Sequence, residues 1–245
     1  MRVRISLGAQ KYINMIVFYK DYKRTDRTYL SIQSVRHLFP DIDIRCLFLY
    51  DNDISEYTQY IPKFLELGVS IYFDKKKWNF GNTSAAGSTL NGYYFTEGIN
   101  KIQALTREYD KVLILDEDSF FTSGETIRFL LDNPFDLACG DWPAPPWPPI
   151  AYTTRPSYEV NACTLAINPK KLNHLFPILE RNESIEILLG HELYDKTKQI
   201  ENSIILELPT RKYTDYCGDG LHTNNVLEIE AELNRVNIPF KRIYE

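Results

Sequence analysis

The stretch Lys111-Val-Leu-Ile-Leu-Asp-Glu-Asp-Ser-Phe-Phe121 decides the fold. Its first five residues are strand-forming and almost wholly apolar, and they run straight into Asp116-Glu117-Asp118. An apolar run of this kind reads as a buried strand of a parallel sheet. In open α/β sheets, ligands bind just beyond the carboxyl ends of such strands. Two aspartates delivered there, one residue apart, are oxygen ligands for a hard divalent cation. A cation held in this way usually neutralises the phosphates of a bound substrate.

Upstream of this stretch the chain alternates. Residues 12–19 (YINMIVFY) read as a first buried strand, and residues 21–28 as a polar loop. Residues 29–39 carry Ile32, Val35 and Phe39 at helical spacing, and Pro40 ends that helix. Residues 44–50 (IRCLFLY) are a second strand, stopping at Asp51-Asn-Asp53. A short helix over 61–67, closed by Gly68, leads to a third strand over 69–73. Residues 78–91, rich in Gly, Asn, Ser and Thr, read as a loop. A helix over 93–109 with Ile99, Ile102 and Leu105 on one face then precedes the strand at 111–115. The alternation predicts an α/β fold: a mostly parallel central sheet with helices on both faces and right-handed crossovers.

Downstream the rhythm changes. A short strand over 135–140 is followed by Asp141-Trp-Pro-Ala-Pro-Pro-Trp-Pro-Pro149, too proline-rich for helix or sheet. Residues 158–167 read as strand, 169–180 as helix, 185–199 as a helix broken near Gly190, and 204–208 as strand. Val226, Ile229, Leu233 and Val236 mark a closing helix over 225–236. With no repeat, low-complexity tract or linker, we expect one domain over residues 1–245, its halves meeting near residue 140.

Composition narrows the class. The chain has 245 residues, 44% of them hydrophobic, enough to bury a full core. A net charge of −5 argues against a general nucleic-acid binder. Cys46, Cys139, Cys163 and Cys217 form no CxxC pair, which favours free thiols in a reducing compartment. The N-terminus lacks the apolar core of a signal peptide, and no stretch approaches a membrane span. We therefore expect a cytoplasmic protein without an integral membrane segment, with peripheral membrane attachment left open. On that expectation Asn82-Thr-Ser and Asn182-Glu-Ser, which fit the glycosylation pattern, read as chance.

A parallel strand ending in D-x-D after such an alternation resembles the GT-A fold of nucleotide-sugar glycosyltransferases. Further segments match that family in order. Phe135-Asp-Leu-Ala-Cys139 resembles the strand after its metal motif, and Asn161-Ala-Cys-Thr-Leu-Ala-Ile-Asn168 the strand of its acceptor half. Leu208-Pro-Thr-Arg-Lys-Tyr213 is similar to a late segment of glycogenin-like and galactosyltransferase-like members. Gly218-Asp-Gly-Leu-His222 sits where many members have a late metal-binding histidine. The resemblance implies a nucleotide-sugar-binding half over about residues 1–140 and an acceptor half over 141–245.

The same resemblance assigns roles. Asp118 is the direct ligand of Mn2+ or Mg2+, Asp116 reaches the metal through water or touches the ribose, and His222 completes the protein ligands. Tyr19 and Tyr22 are candidates to stack on the base. Asp51 and Asp53 are candidates to accept hydrogen bonds from base or ribose, with turn chemistry as the alternative. Trp142 and Trp147 beside Asp141 suggest a sugar platform, with a rigid surface loop of packed tryptophans as the alternative. Asp141, Glu192 and Asp195 are the acceptor-half carboxylates from which a catalytic base would come, a solvated helix face being the alternative for the last two. The sequence here lacks the E-D or D-Q pairs of well-known members, which leaves inversion or retention open. The partners implied are a nucleoside-diphosphate sugar and a hydroxyl acceptor on a glycan or other molecule.

Three other readings share features of the sequence. A sugar-phosphate nucleotidyltransferase has the same sheet, but needs a glycine-rich loop after its first strand, where Phe18-Tyr-Lys-Asp-Tyr22 has no glycine. An aspartyl-phosphate phosphatase carries its D-x-D near the N-terminus. A non-catalytic glycan-binding domain would bind glycan without nucleotide-sugar affinity. Neither a P-loop nor a G-x-G-x-x-G turn is present.

Overall fold

The computed structural model describes residues 15–76, 87–117, 119–141, 160–178, 186–208, 220–222 and 225–245. The first half runs β1 (Met15–Asp21), α1 (Thr25–Leu38), β2 (Asp43–Tyr50), α2 (Ser55–Thr58), α3 (Ile61–Glu66), β3 (Val69–Lys75), α4 (Gly87–Leu105) and β4 (Lys111–Leu115). There follow β5 (Ser119–Phe121), α5 (Glu125–Asp132), β6 (Leu137–Asp141), β7 (Val160–Ile167), a 3-10 turn (Asn173–Leu175), α6 (Glu186–Lys198), β8 (Ile205–Leu208), β9 (Gly220–His222) and α7 (Val226–Arg235).

Seven strands form one sheet in the order β3-β2-β1-β4-β7-β6-β8. β1 to β4 are parallel, β7 is antiparallel to both β4 and β6, and β8 is parallel to β6, so β7 alone is reversed. The mostly parallel sheet expected from the alternation is present. Successive residues of the central strands serve opposite faces. Val17, Tyr19, Cys46, Phe48, Leu113 and Leu115 join one core with Ile32, Val35, Phe64, Ile127 and Leu130 of α1, α3 and α5. Ile16, Phe18, Val112 and Ile114 join the other with Ile99 and Ile102 of α4 and Leu193 of α6. Burial on both faces is why these strands read as unbroken apolar runs; each such side chain contributes about 1.5–3 kcal/mol.

A third cluster joins Leu30 of α1, Phe120 of β5, Ile229 and Leu233 of α7, and Ile238. The last residues are tied down as well. Gln33 Nε2 donates to the Lys241 carbonyl at 2.9 Å, and the Lys241 amide donates to Gln33 Oε1 at 2.8 Å. Lys111 begins β4 yet is buried, because its ammonium caps α5. It donates to the carbonyls of Leu130, Leu131 and Asn133 at 2.5, 3.0 and 2.8 Å, where the helix C-terminus favours a cation. Burial holds its pKa below the ordinary lysine value.

Several elements depart from the sequence reading. α1 starts at Thr25, inside the expected loop, because Thr25 and Thr28 turn inward onto Asp21. α4 starts at Gly87, inside the expected loop over 78–91. The helix expected over 169–180 is replaced, across its described part, by the 3-10 turn; Phe176 is extended ahead of Pro177, as sterics before proline favour. α6 continues through Gly190, its glycine cost of about 1 kcal/mol outweighed by packing of its apolar face, where Leu193 is buried. Asp141 is the last residue of β6, paired with Val160; the proline-rich residues 142–149 lie outside the described residues. β5, α5 and β9 were not anticipated. Among the described residues no helix is long and apolar enough to cross a membrane.

Candidate functional site

From β1 the chain steps outward to β2 and β3, then returns to the other side of β1 as β4. The carboxyl ends of β1 and β4 therefore flank the switch point of the sheet, where doubly wound folds bind ligands. Tyr19 pairs with Leu115, so the next residues, Lys20 and Asp116, are lateral neighbours on one face. Lys20 Nζ lies 2.5 Å from Asp116 Oδ1, with the lysine side chain fully buried and the aspartate 9% exposed. Sequence reasoning missed Lys20. Its signal was a cation closing an otherwise apolar strand.

After Asp116 the chain turns, the Ser119 amide donating to the Asp116 carbonyl at 3.2 Å, and enters β5. α1 pins β5 with two hydroxyls one turn apart: Ser31 donates to the Ser119 carbonyl at 2.5 Å, and Ser34 donates to the Phe121 carbonyl. Ser31 also bonds the Tyr19 hydroxyl at 2.9 Å. β9 pairs antiparallel with β5, with Ser119 opposite His222. The backbone of the late histidine thus lies beside the residue that follows the D-x-D motif. The placement of Asp118 and the side chain of His222 lie outside the described residues. Among the described residues no group of three or more His, Cys, Asp or Glu side chains could hold a metal ion. The donor chemistry of Asp118 and His222, with their segments joined by this ladder, fits a divalent cation.

The ends of β1, β2 and β3 converge on Asp51. It accepts from the Tyr22 hydroxyl at 3.0 and 3.1 Å and from Lys23 Nζ at 2.5 Å, and it forms an ion pair with Lys76. Lys76 also donates to the Tyr22 hydroxyl at 2.8 Å, and both ammoniums lie about 5 Å from the Tyr22 ring centre (5.2 and 4.9 Å). Burial, and then the proximity of Lys23, lower the pKa of Lys76. Two ammoniums thus meet one carboxylate at these strand ends. Lys23 holds a left-handed conformation (φ 61°), and its amide donates to the Tyr57 hydroxyl at 3.0 Å, which itself donates to the Leu49 carbonyl.

Two of the nucleotide candidates are engaged within the protein itself. Tyr19 is fully buried with its hydroxyl engaged by Ser31, so it has no face to offer a base. Asp53 is exposed and accepts from the Ser55 amide and hydroxyl at 2.9 and 2.6 Å, which lowers its pKa. This is the turn chemistry kept as the alternative. Asp21, read as loop, ends β1 fully enclosed and accepts from Thr28 Oγ1 at 2.5 Å, the Arg24 amide at 3.4 Å and Thr25 Oγ1 at 3.5 Å. Burial outweighs these bonds and pushes its pKa up to about 7. In the acceptor half, Glu192 accepts from Lys196 Nζ at 2.5 Å one turn along α6, and Asp195 is half-buried on the same helix. Asp141 ends β6, two strands from β4.

No protein-family model matches the sequence, and no curated protein matches it. Among solved structures, the bifunctional glycosyltransferase WbbM in its apo form superposes with a TM-score of 0.50, covering 83% of this chain and 40% of its own, at 15% identity. The chain shares its fold with a glycosyltransferase. The seven-stranded, mostly parallel sheet flanked by helices is the GT-A architecture that the sequence resemblance implied. The galactosyltransferase LgtC, solved with donor and acceptor sugar analogues, is 14% identical with a TM-score of 0.46, covering 91% of this chain and 95% of its own. GlyE from Streptococcus pneumoniae TIGR4 is 20% identical with a TM-score of 0.40, covering 77% of this chain and 39% of its own. The chain thus spans about two fifths of WbbM and of GlyE.

Proposed function

We propose that this protein is a metal-dependent glycosyltransferase that moves a sugar from a nucleoside diphosphate to a hydroxyl of a glycan or other acceptor. The observation that supports this most is the β5–β9 register, Ser119 opposite His222, at the carboxyl edge of a sheet shared with a glycosyltransferase. Asp118 and His222 would hold Mn2+ or Mg2+. Once bound, the cation would stabilise the negative charge that builds on the departing diphosphate. Lys23 and Lys76, steadied by Asp51, supply fixed positive charge at the neighbouring strand ends. Tyr22, partly exposed there, offers an aromatic face to the base.

In the transfer, the bond from the anomeric carbon to the β-phosphate oxygen breaks, and a bond to the acceptor oxygen forms. The acceptor proton passes to a carboxylate, for which Asp141, Glu192 and Asp195 are the candidates. A cytoplasmic site of action is supported by Cys46 and Cys139, which are buried as free thiols.

The test is calorimetric binding of nucleoside-diphosphate sugars with and without Mn2+. Metal-linked binding of one donor, abolished in Asp118→Ala with the fold intact, is the expected result. Failure of every nucleoside-diphosphate sugar to bind, with or without metal, would reject the reading.

A further inference from the structure

Lys20 has no exposed surface, and a buried ammonium is tolerated only when paired. Its pairing with Asp116 is built by two independent features. The parallel register of β1 and β4 sets residues 20 and 116 side by side, on the face that also carries Phe18 and Ile114. On that face α4 presents Gly98, where a Cβ would lie 2.7 Å from Lys20 Cδ and 3.4 Å from Cγ, so the absence of a side chain leaves the channel for the lysine stem. The ammonium ends 2.5 Å from Asp116 Oδ1. At that distance, in a medium far less polar than water, the attraction is several-fold stronger than between solvated ions, and the carboxylate is largely neutralised.

We propose that Lys20 is a positioning residue of the cation site: it neutralises Asp116 and holds it out of direct metal coordination. This rests on reading the strand ends as a metal-dependent nucleotide-sugar site. Asp116 then behaves as half of a neutral pair. The nucleotide-free protein then binds a divalent cation weakly, since one motif carboxylate is withheld. The diphosphate of an incoming donor supplies the missing oxygens, as is usual for cations that serve phosphate substrates.

Two variants test this by electron paramagnetic resonance of free Mn2+, on the full chain, with Mn2+ alone and with UDP, GDP, ADP or CDP added separately. Lys20→Met frees Asp116 and is expected to bind Mn2+ alone about tenfold more tightly than wild type. Lys20→Met/Asp116→Asn replaces the pair by uncharged groups of similar size, an exchange often neutral for stability. It is expected to bind Mn2+ like wild type and to stand as the decisive variant should the single one not fold. A loss of about tenfold or more in the double variant would make Asp116 a direct ligand and overturn the inference. Equal binding by wild type and folded Lys20→Met would overturn it as well, leaving the proposed function intact. No Mn2+ binding by any of the proteins, with or without nucleotide, would overturn both.

Discussion

Asp21 ends β1 with its carboxyl enclosed and its pKa pushed from 3.8 to about 7 by burial. The sign of the consequence follows from linkage. Between these values the folded state keeps a proton that the unfolded state has released, so stability falls as pH rises from about 4 to about 7 and is flat above. Asp21→Asn has no such dependence. Its stability relative to wild type should climb through that window and level off above pH 7, with a total gain on the order of 4 kcal/mol. Urea unfolding at pH 4, 6 and 8 checks this, and a difference that stays constant across the three would refute it. The residue scale also shows why polarity misleads at this site. Lys20, Asp21, Thr25 and Thr28 look like the end of a strand and a solvated loop, yet all four are buried, each engaged by another charged or polar group.

At the scale of elements, the short strand β5 is held by neighbours rather than by its own length. Ser31 and Ser34 of α1 bond its carbonyls, Phe120 packs against α7, and β9 supplies the only ladder it has among the described residues. Removing a hydroxyl leaves a buried carbonyl without its donor, which costs about 1–3 kcal/mol. Ser31→Ala/Ser34→Ala should therefore lower the unfolding free energy by about 2–6 kcal/mol. It should also diminish any thermal stabilisation by Mn2+ with a nucleoside diphosphate, because β5 follows the metal motif directly. Retained stability in urea would show that β9 and α7 suffice. α4 allows a second prediction. Gly98→Ala gains up to about 1 kcal/mol of helix propensity, but the added methyl meets the middle of the Lys20 stem. The lysine is buried and has no space to swing away, so the variant should be less stable than wild type in the same urea titration, against the propensity trend.

At the scale of the molecule, the last residues brace the fold. Ile238 and Ile243 are buried, the Lys241 backbone exchanges two hydrogen bonds with the Gln33 side-chain amide, and Arg242 pairs with Glu230 at 2.7 Å. Ending the chain after Val236 removes all of these and should cost about 4 kcal/mol or more, read as a lower urea midpoint. An unchanged midpoint would mean these contacts do not bear on stability. The central strands were legible in sequence because β1, β2 and β4 are buried on both faces, so apolarity alone marks them. β4 matches its expected bounds of 111 and 115 at both ends. The helices of the second half were less legible, since Gly190 and Pro177 act locally while packing decides whether a helix continues. Of the candidate site, the sequence by itself determined that two aspartates follow a buried strand, where a parallel sheet presents ligands. The tertiary structure alone decided that Lys20 faces Asp116, that Tyr19 is lost to the core, and that residue 222 lies beside residue 119. Those are pairings between residues far apart in the chain, set by strand register and by which face a side chain occupies, and neither is encoded in local periodicity.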